Sequence, residues 1–142
     1  YHASLLLNNL DIKKIYLIDP YDAYENYEEP KSQNNEVRLA KRIAHKNLGK
    51  RDNVKWIEDY SHEAVSEIED DLDYVYIDGN HNYEYVKRDM KLYYGLLNED
   101  GILAGHDVNL DGVAKALVEF ASENDIQPNF ERENSDWYIF KD

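Results

Sequence analysis

The sequence predicts an α/β protein with a mostly parallel sheet, helices on both faces and a C-terminal antiparallel hairpin. Short apolar segments alternate with amphipathic ones, which is typical of right-handed crossovers between parallel strands. Segment 72–108 shows this most clearly, because it reads as strand, acidic turn, helix, turn and strand. Its first strand, 74–77, is aromatic and β-branched without polar alternation, as expected for a parallel strand covered on both faces.

The same reading divides the whole chain into alternating elements. Gly49 is a natural C-cap for one helix, and Ser61 and Asn82 are suited to cap the N-termini of two others. Segment 21–34 is the longest irregular connection and is expected to be either a lid or a mobile loop. With no internal repeat or linker, residues 1–142 are expected to form one domain. The predicted elements are helix 3–10, strand 15–18, helix 36–48, strand 54–58, a helix from 61, strand 74–77, a helix from 83, strand 102–104, helix 112–122 and a hairpin of 128–133 with 137–141.

Two of the predicted helices carry apolar residues at helical spacing, which indicates the faces that pack on the sheet. The first face contains Val86, Met90, Tyr93 and Leu97, and the second contains Val113, Ala116, Leu117 and Phe120.

Polar residues follow the two clearest strands. Asp78, Gly79, Asn80 and His81 come after the first, and His106 with Asp107 comes after the second. Ligands of open α/β sheets bind outside the carboxyl ends of the strands, so these two turns predict a functional site.

The residues of this region resemble a known family. The IDGNH turn, the YEYVKRDM helix, the LLNEDGILAGHD return and the later WYIFK strand are similar to class I S-adenosylmethionine-dependent methyltransferases, which have a Rossmann-like sheet. The resemblance is greatest to the branch with an IDG(D/N)H-Y motif, which includes sugar and macrolide O-methyltransferases and cephalosporin-hydroxylase-like proteins. It implies methylation of a hydroxyl on a small polar or sugar-containing molecule.

The family's glycine-rich loop holds the methionine end of the cofactor and precedes a helix like 3–10. Because the sequence opens at Tyr1, this loop and the first strand are expected to be missing from it. A sheet without its central strand has unpaired edges, so this form is expected to be oligomeric or to bind the cofactor poorly.

The resemblance also implies cofactor contacts. Asp19 corresponds to the carboxylate that accepts hydrogen bonds from the two ribose hydroxyls, although an Asp-Pro turn that ends the strand would also explain it. Asp59 corresponds to a contact with the adenine edge, or it caps the next helix. Asp78 with Gly79 completes the predicted set of cofactor-binding residues.

Two carboxylates and an imidazole at neighbouring strand ends can bind a divalent cation, and Asp78, His106 and Asp107 are the predicted ligands. Magnesium or manganese is the expected metal, while the imidazole leaves iron and zinc open. The alternative is that Asp78 accepts backbone hydrogen bonds in its turn and His106 packs under the cofactor.

Methyl transfer to a hydroxyl requires a base, and histidine titrates near neutral pH. His81 and His106 lie at the predicted site, so they are the candidate catalytic residues. If His106 binds a metal, the role of base passes to His81.

Composition narrows the partners. Thirty acidic and 16 basic residues give a formal charge of −14, which disfavours nucleic acid, and the absence of cysteine excludes thiolate chemistry. A small-molecule substrate, no membrane, a cytoplasmic location and a possible homo-oligomer are expected. The basic residues of segment 38–55 are read as a solvated helix face, with an anionic-substrate or acidic-partner site as the alternative.

Two other functions fit the same residues. One is a metal-dependent, oxygenase-like enzyme on this fold, which would use Asp78, His106 and Asp107 without a methyl donor. The other is a noncatalytic or truncated binding domain that keeps the fold and has lost the cofactor.

Overall fold

The strands of the computed structural model form two sheets, one in each of two structural units. The structure describes residues 2–22, 34–49, 51–131 and 133–141. Unit 1 is Tyr1–Ile68 and unit 2 is Glu69–Asp142. In the described ranges, no helix has the length and apolar character that crossing a membrane requires.

Unit 1 contains a two-stranded parallel sheet. The pairing places Ile18 opposite Ile57, so both strands end at the same edge. The elements are α1 (His2–Asn9), β1 (Ile15–Ile18), α2 (Asn34–Leu48), β2 (Val54–Ile57), α3 (Ser61–Ala64) and a single 3₁₀ turn (Val65–Glu67).

Unit 2 contains a mixed four-stranded sheet in the order β3-β4-β6-β5. The strands β3 and β4 are parallel, whereas β6 is antiparallel to both β4 and β5, which confirms the predicted hairpin and its antiparallel strand. The elements are β3 (Leu72–Ile77), α4 (Tyr83–Tyr94), β4 (Leu97–Gly105), α5 (Asp111–Asn124), β5 (Asn129–Glu131) and β6 (Asp136–Phe140).

The core of unit 2 lies between its sheet and the pair of helices α4 and α5. Leu103 is the centre of the sheet side, because it lies opposite both Val75 and Ile139 and is fully buried. The predicted helix faces are confirmed, since these residues are all buried: Val86, Met90, Tyr93, Val113, Ala116, Leu117 and Phe120.

Leu97 was wrongly assigned to the face of α4. The helix ends at Tyr94, and Leu97 is the first residue of β4, although it remains buried. The predicted break at 98–101 is a bulge inside this strand rather than a turn before it, because Leu72 pairs with Leu97 while Tyr74 pairs with Ile102. Two backbone bonds hold the bulge in the sheet, from the Asp100 N–H to the Lys141 carbonyl and from the Lys141 N–H to the Gly101 carbonyl.

The predicted caps are only partly correct. Ser61 begins α3 and Tyr60 occupies its N-cap position, so Ser61 is not the cap. Asn82 occupies the N-cap of α4 as predicted, but its side chain makes no capping hydrogen bond. The long connection 21–34 falls mostly outside the described residues, which resume at Asn34.

Substitution of Gly105 by alanine is expected to destabilise the protein by about 1–3 kcal/mol, because it overpacks the sheet. An added Cβ would lie 2.4 Å from the Trp137 ring and 2.7 Å from the Ile77 carbonyl oxygen. Gly79→Ala is the matched control, since its Cβ would meet nothing within 4 Å. Urea unfolding of both variants measures the difference, and equal midpoints would contradict the packing.

Candidate active site

Three strand ends meet at one edge of the unit 2 sheet. Gly105 pairs with Ile77 on one side and with Trp137 on the other, and the backbone N–H of His106 donates to the Ile77 carbonyl at 3.2 Å. Parallel β3 and β4 end at this edge, and antiparallel β6 begins there. The polar residues that follow or begin these strands are Asp78, His106, Asp107 and Asp136.

Close packing by two glycines brings the surrounding segments together. Because Gly105 has no side chain, the Trp137 ring lies against it and donates from Nε1 to the His106 carbonyl at 3.3 Å. Gly112, near the start of α5, allows a similar approach, since a Cβ there would lie 2.3 Å from the carbonyl oxygen of His81. These contacts fix the backbone on either side of both histidines.

The turn after β3 is organised by Asn80. Its side chain is buried, with only 6% exposed, and its Oδ1 accepts a hydrogen bond from the backbone N–H of Asn82 at 2.9 Å. Within the described part of the chain its Nδ2 has no hydrogen-bond partner, and it lines a small pocket with His81 and His106. Asn80 therefore shapes the turn that presents His81.

Asp107 lies between the two histidines and contacts each with a different oxygen. Its Oδ2 is 3.0 Å from Nε2 of His81, and its Oδ1 is 3.0 Å from Nδ1 of His106. The backbone of Asp107 is left-handed, with φ of 59°, a conformation that aspartate and asparagine tolerate better than most residues. One carboxylate therefore hydrogen-bonds His106 and lies within contact distance of His81.

Among the residues that the structure describes, Asp78, His81 and Asp107 form the group that can hold a cation. One ligand atom from each lies within 4.8 Å of the others, and Nε2 of His81 is 3.9 Å from Oδ1 of Asp78. This set differs from the predicted one in one member, because His81 takes the place of His106. Two carboxylates and one imidazole suit a divalent cation with coordination positions left open.

The charges around His106 favour its protonated form. The nearby Asp107 raises the pKa of His106 above its ordinary value, partial burial opposes this, and the more distant Asp78 and Asp136 add to the increase. The imidazole is about one-third exposed, so it remains accessible to a substrate.

Tyr76 and Asp136 belong to this edge, and the sequence analysis missed both. The Tyr76 hydroxyl donates to Oδ1 of Asp136 at 2.7 Å, and the same oxygen lies 4.0 Å from Nε2 of His106. Burial and the bond to Asp136 raise the pKa of Tyr76, so it stays protonated. The sequence contains a signal for Asp136, because an antiparallel last strand beside β4 begins at the edge where β4 ends.

In unit 1, the predicted cofactor residues Asp19 and Asp59 follow β1 and β2 at one edge of their sheet. Each accepts a local backbone hydrogen bond through Oδ1, Asp19 from Tyr21 at 2.7 Å and Asp59 from Tyr60 at 2.8 Å. For Asp19 this is the turn role given as its alternative, and it occupies only one oxygen. Asp59 does not cap the next helix, because Tyr60 occupies the N-cap of α3 without a side-chain capping bond, and the Asp59 carboxylate also bonds the Glu63 side chain.

Unit 1 also contains an ion pair beside this edge. Glu58 pairs with Lys41, and burial together with the charges of Asp19 and Glu58 raises the pKa of Tyr21 to about 12. Other members of the basic segment bond internally, Arg51 to the Asn8 side chain and Lys55 to the Glu67 carbonyl. These contacts support the reading of a structural, solvated surface over an anion site.

The family comparison matches residues 1–108 to a family described as a methyltransferase domain. The chain belongs to this family. The resemblance carried by the IDGNH and GILAGHD segments is thereby confirmed, and S-adenosylmethionine is the cofactor that membership indicates. No curated protein matches the chain.

Solved structures share the fold at low sequence identity. The O-methyltransferase NovP has a TM-score of 0.68 at 13% identity over 96% of this chain, which spans 63% of NovP. SMU.1697c from Streptococcus mutans, in complex with SAH, has a TM-score of 0.65 at 16% identity, covering 98% of this chain and 81% of its own. An rRNA methylase from Streptococcus thermophilus has a TM-score of 0.63 at 14% identity, and the match covers 97% of this chain and 76% of the methylase. These similarities confirm the predicted fold class.

The pKa of His106 in metal-free protein is expected to lie above its ordinary value and to fall in Asp107→Asn. A raised pKa means that the His106–Asp107 pair stabilises the fold below the ordinary pKa and loses this effect as pH rises through the raised one. The advantage in melting temperature over Asp107→Asn should shrink across that interval. NMR titration of the imidazole resonances measures the pKa.

Asp100→Asn is the matched control, because Asp100 is also left-handed, with φ of 64°, and lies at the bulge of β4. It should leave the His106 titration unchanged. An identical His106 pKa in wild type and Asp107→Asn would contradict the pairing.

Proposed function

We propose that the protein transfers a methyl group from S-adenosylmethionine to a hydroxyl group of a small polar molecule, such as a sugar or a glycosylated metabolite. The observation that carries the proposal is the family match, because residues 1–108 include every residue predicted for the cofactor and for catalysis. The formal charge of −14 supports a small-molecule acceptor over nucleic acid. A cytoplasmic location and homo-oligomerisation stay predictions.

The cofactor roles follow the resemblance. Asp19 would bind the ribose hydroxyls through the oxygen that its turn leaves unused, and Asp59 would contact the adenine edge. Asp78 and Gly79 complete this set, and a Cβ added at Gly79 would meet nothing within 4 Å, so a ligand can approach the backbone there. When bound, the cofactor supplies an electrophilic methyl group on a sulfonium, and the departing C–S electron pair stays on sulfur.

The acceptor hydroxyl must lose its proton as its oxygen forms the new bond to carbon. We assign this task to His106, and the contact of its Nδ1 with Asp107 supports the assignment, because it leaves Nε2 for the proton. The charge that then forms on the imidazole lies beside the Asp107 carboxylate, which stabilises it. Alignment of acceptor oxygen and methyl carbon supplies the remaining acceleration.

A divalent cation, magnesium or manganese, fits Asp78, His81 and Asp107 and would lower the pKa of an acceptor hydroxyl bound to it. One nitrogen cannot bind a metal and accept a proton at once. If His81 binds the cation through Nε2, the base is His106, which reverses the assignment expected from the sequence.

Binding of S-adenosylmethionine or S-adenosylhomocysteine should stabilise the full-length protein in thermal melts. A ligand at 100 times its dissociation constant contributes about 2.7 kcal/mol. Asp19→Ala should abolish the shift, because it removes the predicted acceptor for the ribose hydroxyls. Asp11→Ala, another exposed carboxylate of unit 1, is the control and should keep the shift. The absence of any shift in the wild type would overturn the methyltransferase proposal.

Manganese binding separates the two possible metal sets. Isothermal titration of Mn²⁺ should show at least about 10-fold weaker binding in His81→Ala and in Asp78→Asn, because each removes a ligand, while His106→Ala keeps it. Both histidine variants should still bind S-adenosylhomocysteine, because neither histidine belongs to the proposed cofactor set. Loss of Mn²⁺ binding in His106→Ala and Asp78→Asn, with binding kept in His81→Ala, would instead support the set predicted from sequence.

If the wild type binds no Mn²⁺ and transfers methyl groups in the presence of a chelator, the metal role is wrong. The site would then work through histidine alone. In that case His106→Ala should lower turnover about 10²-fold, the scale expected for loss of a general base.

A further inference from the structure

We propose that Asp136, oriented by Tyr76, binds the acceptor through a hydroxyl or ammonium group next to the hydroxyl that is methylated. This inference rests on the proposed methylation of a hydroxyl at His106. It assigns a substrate class, namely acceptors that carry a neutral or cationic hydrogen-bond donor beside the reacting group and no anionic group there.

The first support is the unused oxygen of Asp136. Its Oδ1 accepts the hydrogen bond from Tyr76 at 2.7 Å and faces His106 at 4.0 Å. Among the described residues, nothing bonds to Oδ2. The Asp136 side chain is 31% exposed, so a ligand can reach it. A carboxylate with one oxygen fixed and one unused is a preorganised acceptor for a ligand N–H or O–H group.

The second support is the position of this carboxylate relative to the proposed base. Nδ1 of His106 faces Asp107, and Nε2 faces Asp136. A hydroxyl that gives its proton to Nε2 therefore lies beside Asp136. A donor on the adjacent carbon of the same molecule, as in a vicinal diol or an amino alcohol, would then lie next to the Asp136 carboxylate.

The third support is the charge of the site. The carboxylates that face His106 are Asp107 at Nδ1 and Asp136 at Nε2. A phosphate or carboxylate of the acceptor placed against Asp136 would be repelled by that carboxylate and would find no hydrogen-bond donor on it. A hydroxyl or ammonium group gains a charge-assisted hydrogen bond instead.

A purely structural role is the competing explanation, because the Tyr76–Asp136 bond also links β3 to β6 across β4. If the role is only structural, substitutions of Asp136 should change the stability of the protein and leave its ligand selectivity unchanged. The two explanations therefore predict different ligand selectivity for Asp136→Asn. Asparagine keeps an acceptor oxygen for Tyr76 and offers its NH₂ group to a ligand hydroxyl, which can accept that bond, whereas an ammonium group can neither accept it nor find a negative charge.

The test uses four probes that share one ring and one hydroxyl: cyclohexanol, 1,2-cyclohexanediol, 2-aminocyclohexanol and 2-hydroxycyclohexanecarboxylate. Each is titrated into the full-length protein saturated with S-adenosylhomocysteine. NMR follows the backbone amide of Asp136 and the indole N–H of Trp137, which is bonded to the His106 carbonyl. The diol and the amino alcohol should bind at least 5-fold more tightly than cyclohexanol, and the carboxylate should bind most weakly.

Asp136→Ala should abolish the preference for the diol and the amino alcohol, whereas Asp136→Asn should keep the diol preference and lose that for the amino alcohol. Glu131→Ala is the control, because Glu131 is the exposed cross-strand neighbour of Asp136 on β5. It should leave all four affinities unchanged. Tyr76→Phe should weaken the diol preference by removing the group that orients Asp136.

Equal binding of cyclohexanol and the diol, unchanged selectivity in Asp136→Ala, or no response to any probe would overturn the inference. Failure of the proposed function gives a different result, since S-adenosylhomocysteine would then cause no thermal shift. A diol preference that depends on Asp136 would survive that failure and would identify a binding site without the methyl donor.

Discussion

The close approach of Trp137 to Gly105 is the contact on which the unit 2 site depends. It lets β6 pair tightly beside β4, with Ile77 on the other side of the same glycine. Any side chain at position 105 would separate these strands. Because the strands end or begin at this point, their separation would also move Asp78, His106 and Asp136 apart. Backbone packing at Gly105 therefore determines how far apart these side chains lie, independently of the contacts between them.

The polar groups then divide their roles through Asp107. A single carboxylate with a left-handed backbone contacts His81 with one oxygen and His106 with the other. The two imidazoles share this carboxylate but differ in their second neighbour, because His81 also faces Asp78 and His106 faces Asp136. This asymmetry places His81 among the possible metal ligands and leaves His106 with an accessible nitrogen. The sequence names both histidines and cannot distinguish them.

The parts of the fold that follow from periodicity were predicted well. The helix faces around Met90 and Leu117, the strand of the IDGNH segment and the C-terminal hairpin all agree with the structure, because each depends on local spacing of apolar residues. The bulge at 98–101 was not predicted, since the bonds that hold it come from Lys141, far along the chain. The metal set differs for a similar reason: turn geometry decides which imidazole reaches Asp78, and hydrophobic patterns carry no information about it.

The family match and the proposed acceptor contact lie in different parts of the chain. Residues 1–108 contain the predicted cofactor residues, both histidines and Asp107, whereas Asp136 comes after the match ends. Neighbours of this fold include an rRNA methylase as well as the O-methyltransferase NovP, so the fold itself does not fix the acceptor. Discrimination between acceptors must come from groups that contact the acceptor and differ among such proteins. Asp136 begins the last strand and lies at the edge that carries His106, outside the segment that matches the family, which is where a group that selects the acceptor is expected.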